Sequence, residues 1–230
     1  MYSIAQNPVI SNSNKWFLQK LCIQAEKRPA RHPDRPFSIF LLRCGIRRRI
    51  VQVVRDELQL ILEHQLQVCH GVPIPGILFY DVTTLFKEPA ALQELSDTLY
   101  EMYKDKGITK VVGIESRGFI MGPILATRLG AGFVPIRKPG KLPAETIEES
   151  YDKEYGKDTV QMHKDAINED DVVLLHDDLL ATGGTMEAAC KLVKQMSPKK
   201  VYVNFIIELK ELHGKDVFGD DVEVESVLSL

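Results

Sequence analysis

Residues 172–185 read VVLLHDDLLATGGT, and this stretch decides the fold of the chain. Its first four residues are β-branched or leucine, which is typical of a strand buried in a parallel sheet. Two adjacent carboxylates, Asp177 and Asp178, come after that run and His176. A turn of small residues follows, and apolar residues then recur at helical spacing over residues 186–196. The order of strand, acid pair, turn and helix predicts one βα unit of an α/β sheet.

The turn after the acid pair has the composition of an anion-binding site. Glycine has no Cβ, so the backbone can turn sharply and direct its N–H groups at a ligand. The helix that follows points the positive end of its dipole at the same place, which favours phosphate. The Gly-Lys-Ser/Thr ending of a P-loop is missing. The predicted phosphate-binding residues are Ala181, Thr182, Gly183, Gly184 and Thr185.

The acid pair indicates what else such a ligand carries. Ligands of open α/β sheets bind beyond the carboxyl ends of the strands, where Asp177 and Asp178 are predicted to lie. Carboxylates there can accept hydrogen bonds from hydroxyl groups, so a sugar phosphate fits the pattern. The alternative is an ordinary βα turn with exposed acids. A lone Gly-Gly pair would favour that alternative, but paired acids followed by Thr-Gly-Gly-Thr favour a binding site.

Composition limits the class of protein. The 230 residues predict one domain, or one domain with an appendage. A net charge of −3 gives no global case for binding nucleic acid or a membrane, and no apolar run approaches the roughly 20 residues of a transmembrane helix. The four cysteines form no C-x-x-C pair, which argues against structural zinc and favours reduced thiols in the cytoplasm.

Residues 1–50 differ from the rest of the chain. Eight basic residues fall between Lys27 and Arg49, whereas Glu26 and Asp34 are the only acids of the segment. Three interpretations stay open: a basic arm for an acidic partner, a targeting segment, or a disordered extension without a catalytic role. The step in charge near residue 50 resembles a domain boundary and favours the third. We therefore expect the working domain to span residues 51–230.

Helical and strand patterns alternate through most of that domain. This alternation predicts a mainly parallel, doubly wound sheet with right-handed crossovers. Helices are predicted over residues 51–67 and 89–104 and, after residues 115–119, up to residue 129, and strands over residues 110–114, 132–136, 200–208 and 222–228.

Two further groups of cations follow predicted strands. Arg117 lies on a strand-to-helix turn, where its planar fork suits phosphate oxygens, although an ion pair with Glu115 is the alternative. Arg137, Lys138 and Lys141 follow the next strand within five residues and predict a diphosphate clamp, with a solvated basic loop as the alternative. Residues 144–163 are polar, with weak strand signals, and a connection of this kind is often a lid.

Five segments together resemble the adenine branch of the type I phosphoribosyltransferases, and the resemblance runs from about residue 51 to the C-terminus. The segments are PGILF at 75–79, ESRGF at 115–119, RKPGKLP at 137–143, YDKEYG at 151–156 and the stretch at 172–185. The last marks the superfamily, which binds phosphoribosyl diphosphate (PRPP). The Lys-Leu-Pro and Glu-Tyr-Gly segments point to the adenine branch.

The resemblance implies a reaction and a set of roles. Adenine and PRPP would give AMP and diphosphate in a cytoplasmic homodimer, with Mg²⁺ held mainly by substrate oxygens and water rather than by a protein cage. Residues 139–163 would form a flexible hood that excludes water from an oxocarbenium-like centre. The peptide before Ser116 would be strained or cis, and Arg137 would act across the dimer interface. Tyr80 stands where many members have arginine.

The implied residues fall into four groups. Glu154 would be the general acid at N7 of the purine, while Asp177 and Asp178 would hold the ribose hydroxyls and stabilise positive charge at C1′. The diphosphate would be bound by Arg117, Arg137, Lys138 and Lys141, adenine by Leu78, Phe79 and Tyr80, and the substrates by Tyr155 of the hood.

Two other functions compete with this one. A sister enzyme would use a 6-oxopurine or orotate, and the hood sequence argues against it. A regulator would keep the PRPP site, lose catalysis and bind nucleic acid, and the retained Glu154, Arg117 and Arg137 argue against it, as does the net acidity.

Overall fold

The structure of the chain, a computed structural model, describes residues 67–69, 79–153 and 156–230. Contacts divide the chain into two compact units, Met1–Ala91 and Leu92–Leu230. In the first unit β1 (Gln67–Cys69) pairs antiparallel with β2 (Phe79–Asp81), and α1 (Thr83–Lys87) follows. The predicted helix over residues 51–67 lies outside the described residues except for Gln67, which begins β1.

The second unit is built on a five-stranded sheet in which all neighbouring strands are parallel. This confirms the predicted mainly parallel, doubly wound α/β fold. Across the sheet the strands are β4 (Gly132–Ile136), β3 (Lys110–Ile114), β7 (Val172–Leu180), β8 (Lys200–Glu208) and β9 (Glu223–Ser229). The helices are α2 (Pro89–Tyr103), within which the division between the units falls, α3 (Gly118–Leu129) and α4 (Gly184–Lys194).

The order of the strands fixes where a ligand site can form. The chain moves from β3 through α3 to β4 on one side, and from β7 through α4 to β8 on the other. Because parallel crossovers are right-handed, these opposite directions put α3 and α4 on opposite faces of the sheet. The strand order therefore reverses between β3 and β7, and open sheets of this kind bind ligands in the crevice at such a point.

The central strand is longer than its apolar run. We predicted that the strand ends before the acid pair, but β7 continues to Leu180, so both acids lie within it. The register explains the difference, since Asp177 pairs with Phe205 and Leu180 with Glu208 along the whole of β8. The neighbouring strand supplies backbone partners past the point where the apolar residues stop.

A hairpin replaces the predicted loop over residues 144–163. β5 (Thr146–Lys153) and β6 (Gly156–His163) pair antiparallel in an unbroken register from Thr146–His163 to Lys153–Gly156. Alternate residues face inwards, and Val160 and Met162 are buried in the core that also contains α4. Residues 146–153 and 156–163 of the expected hood thus form a paired hairpin, whereas residues 154–155 lie outside the described residues.

One large hydrophobic cluster of the core lies on the α4 face of the sheet. It is formed by the inward residues of the first four strands in sheet order and by the buried side of α4, from Met186 to Val193. In the parts of the chain that the structure describes, no helix has the length and apolar character needed to cross a membrane.

Candidate active site

A cleft of about 240 Å³ opens at the carboxyl ends of β3, β4 and β7. This is the place at which the strand order reverses, so the sheet topology and the cleft agree on one site. The cleft is lined by Ile114, Glu115, Ile136, Arg137, Lys138, Tyr151, Val160, Asp177 and Thr185.

The two acids of the pair have different surroundings. Asp177 lines the cleft, whereas the side chain of Asp178 is only 3% exposed and lies 3.0 Å, Oδ2 to Nε, from Arg117. The backbone N–H of Asp178 donates to Oδ1 of Asp177 at 2.9 Å. Burial raises the pKa of both carboxyls, and repulsion by Asp178 raises the pKa of Asp177 further, while Arg117 opposes the rise at Asp178. A positive charge in the cleft would favour the ionised pair.

Arg117 begins α3 beside the acid pair rather than beside Glu115. The close approach of α3 to β7 depends on Gly118, because a Cβ there would lie 2.6 Å from the carbonyl oxygen of His176. Arg117 is 47% exposed, but it is not among the residues that line the cleft. The peptide between Glu115 and Ser116 is cis, as the resemblance implied.

The basic loop after β4 is held by acids of the same chain. Arg137 forms a two-pronged pair with Glu115, with Nε 3.2 Å from Oε2 and Nη2 3.1 Å from Oε1. Lys138 forms an ion pair with Asp158 of β6 and lines the cleft. The carbonyl oxygen of Lys141 accepts a hydrogen bond from Nη1 of Arg137 at 3.2 Å. Of the predicted clamp residues, Arg137 and Lys138 therefore line the cleft, whereas Lys141 is not among the lining residues.

The predicted phosphate turn leads directly into α4. Gly183 caps the helix in the left-handed region, at φ 85°, and no side chain caps the first turn. A Cβ on Gly183 would lie 2.5 Å from the carbonyl oxygen of Gly214, so this position requires glycine. The first N–H groups of an α-helix have no partner within the helix, which leaves those of α4 available to an anion. Thr185 lines the cleft and donates from its hydroxyl to that of Tyr151 at 3.1 Å.

Several predicted site residues are not placed at this cleft. Glu154, Tyr155 and Leu78 lie outside the described residues. Phe79 and Tyr80 belong to β2 in the first unit, where Tyr80 pairs with Val68 and is half-buried. Among the described residues, no group of three His, Cys, Asp or Glu side chains could hold a metal ion.

Three polar residues in or beside the cleft were not predicted as functional: Glu115, Tyr151 and Asp158. Each is joined by hydrogen bonds or ion pairs to a predicted binding residue, namely Glu115 to Arg137, Tyr151 to Thr185, and Asp158 to Lys138. Two of the three lie in the YDKEYGKD segment, 151–158, whose first six residues belong to the resemblance. The signal was present in the sequence, but the partners lie in other elements, since Thr185 is in the first turn of α4 and Lys138 is in the loop after β4.

Comparison with known proteins defines the class. The family model described as phosphoribosyl transferase domain matches residues 81–223. The chain belongs to the phosphoribosyltransferase family, and its similar relatives are adenine phosphoribosyltransferases. The adenine phosphoribosyltransferase of Bacteroides thetaiotaomicron is 85% identical over 158 residues, which are 69% of this chain and 90% of the relative. That of Phocaeicola vulgatus is 68% identical over 169 residues, 74% of this chain and 97% of the relative.

Solved structures agree with the sequence comparison. The crystal structure of adenine phosphoribosyltransferase from Rhodothermus marinus has a TM-score of 0.71 at 46% identity and covers 76% of this chain and 99% of that one. The enzyme from Saccharomyces cerevisiae, crystallised with adenine and an imino-altritol bisphosphate, has a TM-score of 0.70 at 39% identity, with coverage of 75% and 99%.

Proposed function

We propose that the protein is an adenine phosphoribosyltransferase that converts adenine and PRPP into AMP and diphosphate. One observation carries the proposal: a single cleft brings together the acid pair at Asp177, the phosphate turn at Thr185 and the cations Arg137 and Lys138. PRPP has a phosphate at one end, a diphosphate at the other and ribose hydroxyls between them. The similarity to adenine phosphoribosyltransferases supports adenine as the base.

The chemistry follows from the charges in the cleft. When the bond between C1′ and the diphosphate oxygen breaks, the electron pair leaves with diphosphate and positive charge grows on the ribose ring. Asp177 and Asp178 stabilise that charge, and the cations of the basic loop stabilise the leaving diphosphate. The lone pair on N9 of adenine forms the new bond to C1′, and the proton that the purine gives up passes from N7 to Glu154, which returns it as the general acid in the reverse reaction. Closure of the hood, residues 139–163, keeps water from the reactive carbon.

Mg²⁺ belongs to this proposal as a partner of the substrate. The donor set near the cleft fits a shared site rather than a protein cage, because Asp178 is paired with Arg117 and Asp177 is one carboxylate. Mg²⁺ prefers oxygen ligands and keeps several waters, so diphosphate, ribose hydroxyls and water would supply most of them. When bound, the ion neutralises negative charge on the leaving group.

The assembly and the location complete the proposal. We propose a homodimer in which Arg137 also reaches the partner's site, and a cytoplasmic enzyme, which agrees with a free and buried Cys190. Adenine would bind at Leu78, Phe79 and Tyr80, with Tyr155 contacting the substrates.

The test is diphosphate release from PRPP and Mg²⁺ with adenine, hypoxanthine, guanine or orotate offered separately. Release with adenine and little with the others is the expected result. Faster turnover of hypoxanthine, guanine or orotate would make the protein a sister enzyme. Tight PRPP binding without release of diphosphate with any base would make it a regulator.

A further inference from the structure

Glu115 joins the basic loop to the end of β3, and it has no role in the reaction proposed for the cleft. We propose that Glu115 is a positioning residue for the diphosphate end of PRPP, and that it acts through Arg137. This inference rests on the proposed function, because it takes the leaving diphosphate as the ligand of the basic loop.

The sheet places the two residues side by side. Ile114 and Ile136 are register partners at the ends of β3 and β4, so the next residue of each strand comes out at the same edge. The N–H of Glu115 donates to the carbonyl oxygen of Ile136 at 3.0 Å and extends this pairing by one residue. The carboxylate then meets the guanidinium at 3.1 and 3.2 Å. A carboxylate that accepts two parallel N–H bonds fixes both the position and the plane of an arginine.

Glu115 also shapes the backbone of the basic loop. Its Oε2 accepts the N–H of Lys138 at 3.0 Å, and the guanidinium that it holds donates to the carbonyl oxygen of Lys141. One carboxylate therefore organises the loop at its start directly and at Lys141 through Arg137. The hydrogen bonds from Arg137 and Lys138 hold the pKa of Glu115 below its ordinary value, so it is ionised at neutral pH.

A count of donors shows that Arg137 can still bind a ligand. A guanidinium has five N–H groups. In the described part of the chain, two of them bind Glu115 and one binds Lys141, which leaves two for an anion. The side chain is 33% exposed and lines the cleft, so those two can reach a diphosphate oxygen. Glu115 and Lys141 therefore fix the position of Arg137 and leave two of its N–H groups for a ligand.

The first experiment compares Glu115→Gln with a matched control, Asp97→Asn. Asp97 forms an ion pair with Arg128 at 2.5 Å on α2 and α3, so the control also takes a carboxylate from an arginine, but neither residue lines the cleft. We expect Glu115→Gln to raise the KM for PRPP and the Kd for diphosphate about tenfold, equivalent to about 1.4 kcal/mol. The KM for adenine and the kcat should change less than about threefold, which is under 0.7 kcal/mol. The control should change none of these constants.

A double-mutant cycle tests whether the effect passes through Arg137. In an Arg137→Ala background, Glu115→Gln should have little further effect on diphosphate binding, because the group it positions is gone. Additive effects of the two substitutions would overturn the proposal. An unchanged Kd for diphosphate in Glu115→Gln would also overturn it. A lower Kd would overturn it as well, because it would mean that Glu115 competes with diphosphate for Arg137. Thermal unfolding checks that each variant is folded. Glu115→Asp keeps the charge but has a shorter side chain, so its Kd for diphosphate should lie between those of wild type and Glu115→Gln.

The readouts separate this inference from the proposed function. Diphosphate binding is measured by calorimetry without turnover, so it tests Glu115 even in a protein that makes no AMP. A wild type that binds diphosphate but releases none from PRPP with any base defeats the proposed function alone. A wild type that makes AMP, with a Glu115→Gln variant equal to it, defeats this inference alone.

Discussion

Among single residues, Asp177 and Asp178 combine the chemical role proposed for them with a physical conflict. Two adjacent carboxylates held away from water repel each other, and burial disfavours the charge of each. The same conflict makes the pair attract a developing positive charge. A site of this kind is expected to reduce the stability of the fold in exchange for reactivity.

The substitution Asp177→Asn tests this conflict. In the folded chain the pKa of Asp177 is raised, whereas the unfolded chain loses the proton near its ordinary pKa of about 4. Asp177 therefore contributes a loss of stability as pH rises from about 4 to about 8, and the amide removes that contribution. We expect the Tm at pH 8 to rise by roughly 2–4 °C, while turnover falls by about 10²-fold or more. Asp170→Asn, at an exposed position, is the control, and an unchanged Tm for Asp177→Asn would contradict the argument.

For His176, the residue before Asp177, we expect the opposite dependence of stability on pH. It is fully buried, with Nδ1 2.9 Å from Oδ1 of Asn204, and burial lowers its pKa from 6.5 to about 4. The unfolded chain takes up a proton between those values and the folded chain does not, so His176 makes stability fall as pH drops from about 6.5 to about 4. A His176→Leu variant should lose less Tm than wild type between pH 7 and pH 5.

The comparison for His176→Leu is the change in Tm with pH rather than the Tm itself, since Asn204 loses a partner at every pH. His213→Asn is the control, because His213 is exposed and asparagine tolerates its φ of 51°. Equal pH slopes for wild type and His176→Leu would show that another group dominates the acid response.

The acids and the phosphate turn were predictable from the sequence because their chemistry is local. A run of four apolar residues, His176 and two acids, followed by a Thr-Gly-Gly-Thr turn and a helix, specifies its own arrangement. The pairing of Glu115 with Arg137 was not predictable in the same way, because the two are 22 residues apart and meet only through the register of β3 and β4. Our alternative for Arg117, a pair with Glu115, was wrong for the same reason: Arg117 pairs with Asp178 on the neighbouring strand β7.

Among the elements, the start of α4 depends on one backbone position. Gly183→Ala would combine a left-handed φ with a Cβ 2.5 Å from the carbonyl oxygen of Gly214 and 2.8 Å from Cγ2 of Val217. We expect a loss of roughly 3 kcal/mol or more in unfolding free energy, together with weaker PRPP binding. Gly130→Ala is the matched control, because it has φ 67° but nothing within 4 Å of its Cβ, and it should lose only about 1 kcal/mol. Similar losses in urea unfolding would mean that the contact with Gly214 relaxes freely.

The hairpin is attached to the phosphate turn by one hydroxyl. Tyr151 accepts from Thr185 and donates to Asp158 at 3.2 Å, and its ring packs on the core beside α4. Tyr151→Phe keeps the ring and removes both bonds, so we expect a loss of about 1 kcal/mol and faster amide exchange in β5 and β6.

The control for Tyr151→Phe is in the same hairpin. Ser150 bonds to the hydroxyl of Thr159 at 2.9 Å at an exposed position, and Ser150→Ala should lose less than about 0.5 kcal/mol. If the two variants lose the same stability, the link from Tyr151 to Thr185 adds nothing beyond pairing within the hairpin.

The strands of the sheet were predicted closely because buried apolar runs define them. β3, β4 and β8 begin and end at the predicted residues, and β9 is displaced by one. The hairpin was missed because its outer residues are charged or polar and only alternate positions, such as Val160 and Met162, are apolar. Its strands are specified by each other and by α4, which no local pattern of the sequence records.

At the scale of the whole molecule, the strand order explains why the predicted binding residues meet in one cleft. The chain leaves β3 and β7 in opposite directions, so the segments that follow the two strands separate and open a crevice between them. The cations after β3 and β4 then face the acids and the phosphate turn of β7. Residues far apart in the sequence, from Ile114 to Thr185, thereby line one site.

Removal of residues 1–50 tests the predicted domain boundary near residue 50. The family match begins at residue 81, and the Bacteroides thetaiotaomicron enzyme aligns over 158 residues of this chain. We expect the shortened protein to keep its kcat and its KM for PRPP within about twofold, because the acids, the phosphate turn and the basic loop all lie in the second unit. Removal of residues 1–81 is the contrasting variant, since it also deletes β1, β2 and the proposed adenine-binding segment, and it should abolish AMP formation. A folded 51–230 protein that binds PRPP but makes no AMP would show that the basic segment takes part in catalysis. Equal activity of both truncated proteins would show that adenine binds outside the proposed segment.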